Sequence, residues 1–119
     1  MVVQILDLSD ADVDTLFQAL ADRTRRDIVA RVIEREQSVS ELAERYAMSF
    51  AAVQKHVAVL HRASLVTKAK RGREQIVRAD VTAIRTAQRV LDHYEKLWRH
   101  RVTQMDRLLA GDGSREDAS

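Results

Sequence analysis

Between Gln54 and Ala79 the chain places seven cations, Lys55, Arg62, Lys68, Lys70, Arg71, Arg73 and Arg78, against Glu74 alone. Side chains of this kind neutralise phosphates, and their concentration in one segment is the electrostatic footprint of a nucleic-acid binder. A solvated helix face followed by a charged hairpin would carry the same charge, so charge alone does not decide. The same stretch holds groups that read bases. Gln54 can pair with adenine through two hydrogen bonds and Lys55 with guanine, and the methyls of Ala51 and Ala52 fit against thymine. Arg62 suits a phosphate, and Lys70, Arg71 and Arg73 suit phosphates or a narrow minor groove.

Other chemistries are poorly supplied. The 119 residues include no cysteine, which excludes disulfides, thiolate metal sites and cysteine nucleophiles together. The glycines are only Gly72, Gly111 and Gly113, too few for a phosphate-cradling loop. No serine, histidine and acid stand in a supporting context, so neither catalysis nor a cofactor is expected. His93 and His100 share a helix face, but seven residues correspond to about 10.5 Å of rise, too far to grip one ion. No metal site is expected.

Positioning these groups falls to a small, mostly helical domain. The length fits a single core, and 45% hydrophobic with 32% charged residues is the balance of a globular protein without membrane spans. With no proline and three glycines, sharp reversals are scarce. Residues 1–22 hold five aspartates and neither Lys nor Arg, unlike a secretion signal, so a cytoplasmic protein associated with the nucleoid is expected. Residues 1–9 read as an extension, 10–110 as the domain and 111–119 as a polar tail.

Within the domain, Val13, Leu16, Phe17 and Leu20 recur at helical spacing over 10–20. Asp22 can cap a second helix with the stripe Ile28, Val29, Val32 and Ile33, running to about Gln37. Its first turn carries Arg23, Arg25 and Arg26, which oppose the helix dipole and call for an anionic partner, an acidic side chain or a phosphate. Ser38 and Glu41 have capping-box spacing for a short third helix. Ser49 can cap a fourth, to about Ala63, and only secondarily donate to a phosphate. Val53, Val57 and Leu60 line its inner side. Its outer face, with Ala51, Lys55, Ala58 and Arg62, is small and basic. It lacks the aromatic anchors of a protein interface, which favours DNA. His56, beside the inner stripe, serves either as a half-buried, hydrogen-bonded histidine or as a phosphate contact.

Two short helices around a tight turn form a helix-turn-helix, and the hairpin expected from Leu65–Lys70 and Glu74–Ala79, with Arg71-Gly72-Arg73 at its tip, makes it the winged variant. From Asp80 to about Ala110 one long helix carries Ile84, Leu91, Trp98 and Met105 seven apart, with Ala87, Tyr94 and Leu108 between. It exceeds what the core needs, so part of it should face another chain; Arg101 breaks the seam, which argues against an extended coiled coil. Leu91, Tyr94 and Trp98 read as packing rather than a ligand cage.

The stretch Leu16-Phe17-Gln18-Ala19-Leu20-Ala21-Asp22-Arg23-Thr24-Arg25-Arg26-Asp27-Ile28 resembles the opening of ArsR-family winged-helix repressors. Ser38 to Ala43, Met48 to Leu60 and Ala63 to Val66 follow in that family's order and spacing, and Trp98 resembles the SdpR-like subgroup. The resemblance implies a homodimer joined through its first and last helices, which puts Leu16 with Leu91, Tyr94, Trp98, Met105 and Leu108 at the contact. It further implies repression through an inverted-repeat operator in double-stranded DNA, commonly the regulator's own. Arg23 stands where the family commonly has proline and Ser64 where it has glycine. Ser38 and Ser40 occupy the positions of the cysteine pair in arsenic- and cadmium-responsive members, and hydroxyls do not replace thiolates for soft metals. A small-molecule effector stays open. The alternatives are a protein-interaction module using the winged domain and long helix, or a metal-responsive repressor of the same fold.

Overall fold

A computed structural model describes the backbone of residues 8–118 and the side chains as far as Gly111; most of the expected 1–9 extension lies outside them. In a chain without proline, helices are delimited by side chains that accept from the backbone. Ser9 opens α1 (Asp10–Leu20), and the Asp22 carboxylate, accepting from the Arg25 N–H, opens α2 (Arg23–Glu34). Ser38 and Glu41 exchange bonds of 3.0 and 3.1 Å in a complete capping box at α3 (Val39–Ala43). Ser49 opens α4 (Phe50–Arg62), and Asp80 accepts from the Thr82 N–H at the start of α5 (Val81–Ala118).

Three antiparallel strands, β1 (Gln37–Ser38), β2 (Val66–Arg71) and β3 (Glu74–Ala79), lie in the order β1-β3-β2. Arg71 pairs with Glu74, so the hairpin turns on two residues, Gly72 and Arg73. Gly72 has φ +63°, the left-handed value that a twist-matched two-residue turn needs and that glycine adopts without steric penalty. Ile76 and Val77 are both buried. Neighbours in a strand point to opposite faces, so the sheet is covered on both sides at this point.

Helix α4 ends in a left-handed cap. The Leu65 N–H donates to the Leu60 carbonyl and the Ser64 N–H to that of His61, both at 3.0 Å, with Ser64 at φ +59°. This is the paired bonding of a Schellman motif, and Leu60 and Leu65, both fully buried, supply its hydrophobic contact. The unit ending at Ala87 gathers Leu16, Ile28, Leu42, Val53, Val57 and Leu60 in one core, closed by Ala83 and Ala87 from the first turns of α5. The remainder of α5, from Gln88, forms a second unit.

Three expectations shift. Helix α2 stops at Glu34 instead of Gln37, because Arg35 turns extended and Gln37–Ser38 pair with β3. The buried Gln37 amide donates to the Arg31 and Arg35 carbonyls, which satisfies a polar group that would otherwise be destabilising inside. Ile33 leaves the apolar stripe and is 56% exposed, since five residues bring it about 140° around the helix from Ile28, past the edge set by Val29. Helix α5 continues to Ala118, through residues expected as a tail. Gly111 inside a helix costs about 1 kcal/mol, and no proline follows to stop it.

Candidate nucleic-acid interface

Helix α4 is held from beneath by α2. Arg25 donates from Nε to the Ala19 carbonyl at 2.8 Å, from Nη2 to the Gln18 carbonyl at 3.0 Å, and from Nη1 towards His56 Nδ1 at 3.3 Å. Arg26 donates to the Leu20 carbonyl at 2.9 Å. These bonds correct the expectation of an acidic or phosphate partner for two of the three arginines. They engage the last carbonyls and the negative dipole end of α1, where the Gln18 carbonyl also accepts from the Ala21 N–H at 3.2 Å. Asp22 Oδ2 lies 3.9 Å from His56 Nδ1, and its bond from the Arg25 N–H holds its carboxyl below the ordinary aspartate range.

A second brace joins α2 to the turn after α3. The Tyr46 hydroxyl donates to Asp27 Oδ2 at 2.6 Å and Arg31 Nε to the same oxygen at 2.8 Å, with the guanidinium 5.8 Å from the Tyr46 ring centre. Burial, then the Asp27 carboxylate, pushes the Tyr46 hydroxyl up to about 12. The Tyr46 bond holds Asp27 low.

On this support α4 turns Val53, Val57 and Leu60 inward and exposes Ala51, Gln54 and Lys55, with Ala52 and Ala58 half-buried. The Ser49 hydroxyl accepts from the Ala52 N–H at 3.1 Å, a capping role that leaves its own O–H free to donate. Phe50, the first residue of α4, is 46% exposed and corrects the expectation of an outer face without aromatics. It shares an open cleft of about 210 Å³ with Gln54 one turn on and with Lys70, Arg73 and Glu74 of the wing, two cations against one acid. The sequence carries little signal for it, because Phe50 follows the Ser49 cap directly and belongs neither to the inward stripe nor to the small, basic outer face.

The wing is tethered at one side. Glu36, between α2 and β1, accepts from Arg71 Nη2 at 3.3 Å through one oxygen and from Arg78 Nε through the other. Arg78, then Arg71, holds the Glu36 carboxyl low. Lys70 and Arg73 therefore face the cleft while Arg71 is drawn towards Glu36.

Not every expected residue joins this surface. Arg62 lies at the other end of α4, lining a hollow with Asp12, Thr15, Ser64 and Thr82. The His56 side chain is only 20% exposed and turns Nδ1 inward to Arg25 and Asp22, the half-buried alternative rather than an exposed phosphate contact. Leu16, expected at a subunit contact, is 2% exposed and fills the core. By contrast Leu91, Tyr94, Trp98, Met105 and Leu108 on α5 are 49–72% exposed. Among the described residues no cluster of three or more His, Asp or Glu could hold a metal, and no helix is long and apolar enough to cross a membrane.

The family described as a helix-turn-helix domain matches residues 20–69, from the end of α1 into β2. Over 100 residues the chain is 34% identical to the HTH-type transcriptional regulator Rv2034 of Mycobacterium tuberculosis, covering 84% of this chain and 91% of that protein. The solved ArsR-like transcriptional regulator from Rhodococcus sp. RHA1 is 32% identical with a TM-score of 0.72, over 82% of this chain and 92% of that one. A homodimeric winged helix-turn-helix DNA-binding domain, Mb0332 from Mycobacterium bovis, shares the fold at 21% identity and a TM-score of 0.59, over 75% of this chain and 89% of its own. The fold, the braced outward helix with its basic wing, and these similarities together make the chain a member of the ArsR family of winged helix-turn-helix transcriptional regulators.

Proposed function

We propose that the protein is a homodimeric repressor that binds an inverted-repeat operator in double-stranded DNA, with α4 in the major groove and the wing on the flanking backbone. The observation that carries this reading is the single cleft formed by Gln54 with Lys70 and Arg73, which joins base-reading and phosphate-binding groups on one face. Lys55 and Ala51 extend that face along α4, and Ser49 adds a donor. The exposed α5 stripe supports pairing with a second copy, which would bring two such faces together. That a solved protein of this fold is a homodimer agrees with this. Repression of its own transcription unit and placement in the SdpR-like subgroup, on the strength of Trp98, belong to the same reading. The Ser38 hydroxyl is fully buried and committed to its capping box, which supports a regulator without a soft-metal site at this position.

The test is titration of the purified chain with duplex from its own promoter and with scrambled duplex across a salt series. Log affinity should fall linearly with log salt, with a slope of about −0.9 per phosphate neutralised. Gln54→Ala should lower specific binding by about 1 to 3 kcal/mol and leave scrambled binding unchanged. Trp98→Asp should leave a monomer by light scattering and weaken operator binding. A wild-type chain that is monomeric and binds no duplex at low salt would falsify the proposal.

A further inference from the structure

Phe50 is unnecessary to the core beneath it. Val53, Val57 and Leu60 are already at most 1% exposed, and the Phe50 ring stands 46% exposed at the first position of α4. Its surroundings are particular. The cleft it lines has Gln54 on the same helix and, from the wing, the cations Lys70 and Arg73 with Glu74 and Gln75. An apolar protein partner would have to desolvate Lys70, Arg73 and Glu74 together in that cleft, whereas a DNA duplex supplies phosphates for the two cations, which outnumber the one acid, and, in the major groove, offers one apolar group within reach of an aromatic ring. That group is the C5 methyl of thymine. Ala51 and Ala52, the other candidates for such a contact, offer a single methyl each, and Ala52 is half-buried with its N–H committed to Ser49.

Resting on the DNA-binding reading above, we infer that Phe50 is a specificity-determining residue that reads a thymine methyl. Gln54 is one helical turn beyond it, about 6 Å of rise. A helix lying along the major groove meets successive bases at intervals of about three to four residues. The operator half-site therefore contains a thymine read by Phe50, about one step from an adenine paired with Gln54.

The experiment selects a bound site from a pool of random duplexes and then replaces each thymine in turn by deoxyuridine, which deletes only the methyl. Wild-type protein should lose about fourfold in affinity at one thymine per half-site, and about fifteenfold when both half-sites are changed, the factor expected for burying one methyl. Phe50→Ala should bind thymine and uracil duplexes equally while remaining folded by circular dichroism at the assay temperature, and Phe50→Leu should restore part of the preference. Specific binding with no sensitivity to any thymine methyl overturns the inference and leaves the DNA-binding reading standing. A methyl preference that persists in Phe50→Ala and disappears in Ala51→Gly assigns the contact to Ala51 and overturns it equally. Indifference of the wild-type chain to every duplex in the pool at low salt defeats the DNA-binding reading itself, and this inference with it.

Discussion

Replacing Ser64 by glycine should stabilise the protein. Ser64 sits at φ +59° because the cap of α4 requires a left-handed residue between the bonds to His61 and Leu60. A side chain in that conformation brings Cβ against the following carbonyl, at a cost of about 1 to 2 kcal/mol. Glycine removes this repulsion but adds freedom to the unfolded chain worth about 0.4 to 1 kcal/mol. The net gain is about 0.5 to 1 kcal/mol, which for a domain of this size raises the thermal midpoint by about 2 to 5 °C. Ser64→Ala retains Cβ and should give no such gain, so the pair separates backbone strain from loss of the hydroxyl. Thermal and urea unfolding, followed by circular dichroism at one protein concentration, provide the measurement. If the glycine variant is no more stable than the alanine variant, strain at this cap is not what limits stability and the reasoning fails.

Arg25→Ala should cost about 2 to 3 kcal/mol of stability in urea unfolding, because two charge-assisted bonds to the carbonyls ending α1 are lost; Arg25→Lys should recover less than half, since one ammonium cannot span both acceptors, and full rescue by lysine would argue against the bidentate role. Glu36→Gln should release Arg71 and Arg78, tightening duplex binding and steepening the salt slope by about one; unchanged affinity and slope would mean that these arginines stay off the DNA. The fold pushes the Tyr46 hydroxyl from its ordinary value of 10 up to about 12, so the unfolded state releases that proton first and stability falls as pH rises from 10 towards 12. Tyr46→Phe should flatten the alkaline limb of the thermal midpoint, and an equally steep limb in the variant would assign the loss to other groups.

Much of the architecture was legible because its determinants are local. Asp22, Ser38 and Ser49 each sit one residue before the helix they cap, and the stripe Val53, Val57 and Leu60 repeats within a single element. What escaped depends on partners distant along the chain. Strand β1 is two residues long and exists only through its pairing with Val77 and Ile76. The Glu36 tether reaches 35 and 42 residues ahead, and the carbonyls that Arg25 and Arg26 satisfy give no side-chain signal at all. Leu16 was assigned to a subunit contact by resemblance, although its place in an apolar stripe served the core equally well. Phe50 needed the cleft geometry, since its exposure follows from how the wing stands beside α4.

Arg25 fastens three helices with one planar group. Its contacts run from the last carbonyls of α1, through its own position at the start of α2, to the ring of His56 halfway along α4. A guanidinium has fixed angles between its donors, so the three elements share a common pivot, and a tilt of α1 must either break a bond or carry α4 with it. The aim of α4 is thus inherited from the N-terminal helix, and a ligand or partner that displaced that helix would reorient the exposed face of α4 without touching it.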